Sequence, residues 1–159
     1  MIVPARTPDE RATLIAYMAS KIGSTPVELV GQMPFEIVAV KRNERPMGAV
    51  MYYNFRHGLI EMAWAGEAGW LTRGTLQAMF GYPFGQLGCR TVLGIVRRDN
   101  HKSRDMAIRI GCKEVGVIDE AFGEKLDGIL YSMHRSWCRW VQEQPKARAS
   151  RANGVHAHV

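Results

Sequence analysis

Apolar and polar residues alternate along this chain with a period that changes several times, and the changes divide it into elements. Ile2-Val3 suggests a short first strand. Thr7-Pro8-Asp9-Glu10 is a helix start, in which Thr7 caps, Pro8 suits the first helical position and Glu10 completes a capping box. Leu14, Ile15, Met18 and Ile22 follow at helical spacing, and Gly23 can end the helix. Thr25-Pro26-Val27-Glu28 repeats the start signal for a shorter helix that ends near Gly31. The period then becomes that of strands: Phe35 to Val40, Met47 to Phe55 and Leu59 to Ala65, joined by turns at Arg42–Arg45 and His57-Gly58, predict an antiparallel meander.

The second half predicts a helix from Thr72 to Leu87, with Pro83 expected to kink it or end it early. Arg90 to Val96 is a short, nearly all-apolar strand suited to a sheet centre. Asn100 caps a further helix that stops at Gly111, Lys113–Ile118 and Gly128–Met133 form a closing hairpin, and Trp137–Val141 suggests a last helical turn. The order is β-α-α-β-β-β-α-β-α-β-β. Strand–helix–strand crossings favour parallel pairing in the second half. The fold class is therefore α/β in the α+β sense: a mixed, mostly antiparallel sheet of about six or seven strands with helices on both faces.

Composition narrows the picture little. With 47% hydrophobic and 23% charged residues the chain reads as globular. No apolar run of about 18 residues suggests a membrane-spanning helix, and the N-terminus lacks the basic-then-apolar order of a signal peptide, so no membrane partner and a cytoplasmic location are expected. Residues 1–144 read as one domain and 145–159 as a disordered basic tail. The net charge is +6, of which Lys146, Arg148 and Arg151 supply half. That balance leaves nucleic acid open as a partner without indicating it, and the sequence holds no basic–aromatic strip of the kind that tracks single strands. Cys89, Cys112 and Cys138 show no paired spacing and read as small apolar residues. No set of His, Cys or acidic residues has metal-ligand spacing, so no metal is expected.

Five blocks in order carry a resemblance: Gly69-Trp70-Leu71-Thr72-Arg73-Gly74-Thr75, Tyr82-Pro83-Phe84-Gly85-Gln86-Leu87-Gly88-Cys89, Arg98-Asp99-Asn100-His101-Lys102-Ser103, Ile110-Gly111-Cys112-Lys113-Glu114-Val115-Gly116 and Asp127-Gly128-Ile129-Leu130-Tyr131-Ser132-Met133. With the element order, they make the chain resemble the GNAT superfamily of N-acetyltransferases, the ribosomal-protein alanine acetyltransferase branch above all, and also small acetyltransferase-like proteins of bacteriophages. The resemblance implies an acyl-CoA-dependent N-acyltransferase that moves acetyl from acetyl-CoA to a primary amine by direct attack, with a homodimer left open. It implies that the cofactor lies where Leu59–Ala65 and Arg90–Val96 splay apart, against Met62, Ala63 and Trp64. Its diphosphate would rest on the helix start at Thr72, Arg73, Gly74 and Thr75, where free amides and the helix dipole favour an anion. Asn100 and Ser103 match cofactor-facing positions.

This sequence departs from the family's phosphate loop, since Gly74 is the only glycine within the turn and Thr75 and Leu76 stand where small residues are usual. Acylation needs a neutral amine, hence a proton acceptor. Glu61 resembles the family's base and Glu67 is the second candidate. The usual acidic tyrosine is missing, Ala107 standing in its place, so Tyr131 is the substitute candidate. Each assignment has a plain alternative: Asn100 as a helix cap alone, Glu61 as the ion-pair partner of an arginine, Tyr131 as a core residue, Trp70 as core or as a wall of the acceptor cleft. Two other functions stay open, a DNA-base-modifying enzyme of the same fold and a binding protein that has lost its chemistry.

Overall fold

The computed structural model describes residues 1–31 and 33–142, so the expected disordered tail lies outside the described residues. Seven strands form one sheet: β1 (Ile2–Pro4), β2 (Phe35–Arg42), β3 (Arg45–Arg56), β4 (Leu59–Gly66), β5 (Thr91–Arg97), β6 (Lys113–Ile118) and β7 (Gly128–His134), in the spatial order β1-β2-β3-β4-β5-β7-β6. Every neighbouring pair is antiparallel except β4–β5. Parallel pairing therefore occurs once in the second half. β7 enters between β5 and β6, and the reason is burial. Ile129, Tyr131 and Met133 of β7 are almost fully buried, whereas nearly every residue of β6 is exposed, so β7 takes the interior slot and β6 the edge.

The helices α1 (Pro8–Ile22), α2 (Pro26–Val30), α3 (Arg73–Gly81) and α4 (His101–Ile110) cover both faces. Strand alternation sorts the core. Ala49 and Met51 of β3 pack with Met18 of α1, while Val50 and Tyr52 join Leu76, Met79 and Phe80 of α3 and Ala107 and Ile110 of α4. The predicted helix to Leu87 is shorter than expected: α3 ends at Gly81 and a single π-helical turn, Tyr82–Gln86, follows. Pro83 brings no amide hydrogen to the ladder, and the widened turn seats Phe84 in the core, stacked 6.1 Å from Phe80. The last helical turn is also displaced, to a 3-10 turn over Arg135–Trp137. Among the described residues, no helix is long and apolar enough to cross a membrane.

Both N-terminal capping boxes form. Thr7 accepts from the Glu10 amide, while the Glu10 carboxylate accepts from the amides of Arg6 (2.7 Å) and Thr7 (3.1 Å). Those amides hold the Glu10 carboxyl below its usual range, and the Thr25 amide and hydroxyl do the same for Glu28. A carboxyl depressed in the folded state contributes stability in full above its unfolded value, about pH 4, and loses it as pH falls through the folded value. Glu10→Gln should therefore lower the melting temperature at pH 7, and the gap from wild type should close as pH falls below the usual carboxylate range. Melting curves across that range check the sign; a gap that widens in acid contradicts it.

Candidate active site

The β4–β5 ladder holds only three rungs, Leu59↔Thr91, Ile60↔Val92 and Glu61↔Leu93. Both strands continue, β4 to Gly66 and β5 to Arg97, but they no longer pair. The result is a fork. Met62, Ala63 and Trp64 form one wall, Gly94, Ile95, Val96 and Arg97 the other, with Asn100 and Ser103 of α4, Ile22 of α1, Phe122 and Tyr131 around it. Glu67 donates its amide to Met47 O on β3, so by strand alternation the even-numbered residues of β4 turn their backbone groups toward β5. A Cβ on Gly94 would lie 3.3 Å from Met62 O, which places that carbonyl on the β5 side. The backbone groups of Trp64 face the gap in the same way and have no strand to pair with. These residues fit an extended, amide-bearing arm, which would find unpaired backbone on β4 and an open floor at Gly94.

From the fork a groove runs past Lys21, Gly66 and Glu67, then between the start of α3 and the exposed side of α4, where it meets Leu71, Leu76, Lys102, Met106 and Arg109. Lys102 and Arg109 were missed from sequence. Their signal was present, since residues 102 and 109 are seven apart on one helix and so share a face with Met106.

The sequence candidates fall into two groups. Met62, Ala63, Trp64, Asn100, Ser103 and Tyr131 come together at the fork. Asn100 caps α4 as expected, its Oδ1 accepting from the Ser103 amide at 3.2 Å, and it lines the fork at the same time. Thr72 and Thr75 are set apart: the Thr72 hydroxyl accepts from the Thr75 amide, and both residues line a separate hollow beside the β2–β3 turn. The amides of Arg73 and Gly74 have no protein acceptor among the described residues, and a Cβ on Gly74 would meet only Thr72 Oγ1, 4.0 Å away. Trp70 is core. Its indole lies flat against Gly48 and Gly66 and is 3% exposed.

Glu61 sits on the last paired rung, two residues and about 7 Å along β4 from Ala63 and on the same face. Asn54 Nδ2 donates to its carboxylate, and Arg56 lies 3.6 Å away. Glu67 stands at the mouth of the groove, 2.8 Å from Lys21 Nζ and within 3.3 Å of the Tyr17 hydroxyl, which donates to it. Lys21 holds the Glu67 carboxyl below its usual range, while burial and the Glu67 charge push the Tyr17 hydroxyl up to about 12. Tyr131 is 2% exposed, and its oxygen accepts from Arg104 Nε at 3.2 Å. All three cysteines are free and buried. Burial raises each thiol, Cys112 to about 12, which leaves none suited to act as a nucleophile near neutral pH.

No protein-family model matches the chain, and no curated protein matches it in sequence. Solved structures do match in shape. An N-acetyltransferase from Staphylococcus aureus Mu50 is 19% identical, with a TM-score of 0.64 over 84% of this chain and 97% of that one. A ribosomal-protein-alanine N-acetyltransferase from Brucella melitensis is 16% identical at 0.64, over 84% and 99%. A variant of the spermidine N-acetyltransferase from Vibrio cholerae is 16% identical at 0.65, over 86% and 94%. The forked seven-stranded sheet, with helices on both faces and solved N-acetyltransferases as its structural neighbours, gives this chain the GNAT fold.

Proposed function

We propose that the chain is an N-acyltransferase that takes acetyl from acetyl-CoA and gives it to a primary amine by direct attack. The observation that carries this reading is the fork: two parallel strands that stop pairing after three rungs, with Gly94 beside the Met62 carbonyl and the Trp64 backbone left unpaired. The cofactor supplies a thioester whose carbonyl carbon an amine can attack. Met62, Ala63 and Trp64 hold its arm along β4, with Asn100 and Ser103 closing the other side. The free amides of Arg73 and Gly74, flanked by Thr72 and Thr75, hold the diphosphate, and Lys102 adds charge from α4.

The roles of the ionisable groups follow from their surroundings. An alkyl ammonium must lose a proton before it attacks. Glu61 accepts that proton through a water, being on the fork's own strand and too far along it for direct contact. Glu67, held in its charged form by Lys21 at the mouth of the groove, orients the amine instead. The Tyr131 hydroxyl spends a lone pair on Arg104 and keeps its own hydrogen free, so it can donate to the leaving sulfur.

Two measurements on purified protein test the reading together. Acetyl-CoA should raise the melting temperature. Glu61→Gln should keep that rise while lowering kcat by about a hundredfold or more, and Glu67→Gln should act chiefly on the acceptor's KM. No thermal response to millimolar acetyl-CoA contradicts the cofactor, and an unchanged kcat in Glu61→Gln contradicts the base.

A further inference from the structure

The end of the sheet away from the fork carries a strip of cations and aromatics gathered from separate segments. One row of paired residues crosses four strands there: Arg56↔Leu59, Leu59↔Thr91 and Thr91↔His134. His57 and Gly58 form the turn below it, and Arg90 and Arg135 adjoin its other strands, the Arg135 amide donating to Arg90 O at 2.9 Å. Arg90 lies across the turn, its guanidinium donating to His57 O at 2.7 Å and lying flat over Gly58, where a Cβ would meet it at 2.9 Å. Arg90 and Arg135 have no carboxylate partner, and the Arg135 side chain makes no hydrogen bond among the described residues. The carboxylates on strands that end here, Glu36, Glu61 and Glu114, are already ion-paired with Arg11, Arg56 and Arg104. Across three strand spacings the strip measures about 14 Å.

Two aromatics stand in this strip. The β3–β4 register slips between Tyr53 and Arg56, with Asn54 in the left-handed region (φ 56°), and the slip turns Phe55 outward to 54% exposure. Asparagine tolerates that conformation better than most residues, so a large apolar side chain is held in water by a local backbone device. At the other end Trp137 is 37% exposed, tilted 5.4 Å from His134, with Lys113 Nζ 3.9 Å from its ring centroid. Gln142 lines the hollow beside Arg90 and Arg135.

We propose that this end of the sheet is a docking surface for single-stranded nucleic acid, separate from the fork. Arg90 and Arg135 take phosphates, and Phe55 offers a face on which a base stacks. Cations alone would suit any polyanion. The exposed ring at the same end of the sheet favours a partner with both a charged backbone and flat apolar faces, and a single strand presents both. A duplex hides its base faces, and an acidic peptide has none. The surface reads no base edge, so oligo-dT and oligo-U should bind alike.

The test is fluorescence anisotropy with a labelled oligo-dT of about 20 nucleotides, over a range of salt. Wild type should bind at low salt. Arg90→Gln with Arg135→Glu should weaken binding about tenfold or more and flatten the slope of log K against log salt by about 1.4. Phe55→Ser should weaken it about tenfold with little change in slope. Arg135→Ala, at an exposed side chain bonded to nothing, repeats the test in smaller form should the double variant not fold. The thermal response to acetyl-CoA serves as a control that the far end is undisturbed, and the binding result stands whether or not that response exists. The proposal is overturned by no binding, by binding that ignores these substitutions, by tighter binding to duplex of the same length, or by equal displacement with polyglutamate.

Discussion

Gly94→Val will leave the sheet folded and close the fork. Gly94 is buried on β5, opposite the point where β4 turns its Met62 carbonyl into the gap. A Cβ alone would sit 3.3 Å from that oxygen, a contact that a shift of a few tenths of an ångström relieves. The γ-methyls of valine have no such relief, since the space they enter is the floor of the slot. Valine also suits a strand, so the melting temperature without ligand should stay within a few degrees of wild type. Acetyl-CoA at a hundred times its Kd should stabilise wild type by about 2.7 kcal/mol and the variant by almost nothing. Acetyl transfer should fall by at least about a hundredfold, as expected when a bound reactant is displaced by an ångström. A variant that keeps both its thermal response and its rate would put the cofactor elsewhere on the surface.

Trp70→Ala will destabilise the fold strongly. The indole fills the space where the β4–α3 connection crosses the sheet, and the chain has made room for it with Gly48 on β3 and Gly66 on β4, where any Cβ would overlap the ring. Removing so large a buried side chain costs about 3–5 kcal/mol, a sizeable part of a typical total of about 5–15 kcal/mol. For a chain of this size that corresponds to a fall of about 10 °C or more in the melting temperature. The same contact predicts a strong coupling. Gly66→Ala should destabilise the wild type severely and the Trp70→Ala background hardly at all, so that the double-mutant cycle shows an interaction of about 1–3 kcal/mol. Additive effects would mean that the ring and the two glycines do not share one space.

Most of the fold was legible because local chemistry and tertiary packing agree. Thr7-Pro8-Asp9-Glu10 and Thr25-Pro26-Val27-Glu28 start helices by hydrogen bonds made within four residues, and both capping boxes form. The period-2 runs became the strands of the expected antiparallel meander. What escaped was decided at a distance. That β7 would lie inside β6 follows from the relative burial of two strands, which no window along the chain compares. The shortened α3 was half legible, since Pro83 marked a break without showing that a widened turn would follow.

The site divides in the same way. The Asn100 cap was readable because a cap fixes its own position, whereas Ser103 was named by the resemblance alone. Trp64 was placed at the gap by the resemblance alone, and Gly94 needed the sheet, for the residues around it in sequence do not show that it forms the floor of that gap. The strip of Phe55, Arg56, Arg90, His134 and Arg135 was invisible for the same reason: its members are spread over 81 positions and meet only because four strand ends are neighbours.

The placement of β7 bears on how the protein is made. Synthesis proceeds from the N-terminus, and the strand that completes the interior of the sheet is the last to leave the ribosome. Until Gly128–His134 emerges, β5 has an open edge and the apolar side of α4 lacks Ile129, Tyr131 and Met133 to rest on. A nascent chain can therefore assemble the meander early but gains its second core only once β7 has emerged, and during that interval β5 is exposed to pairing with other chains.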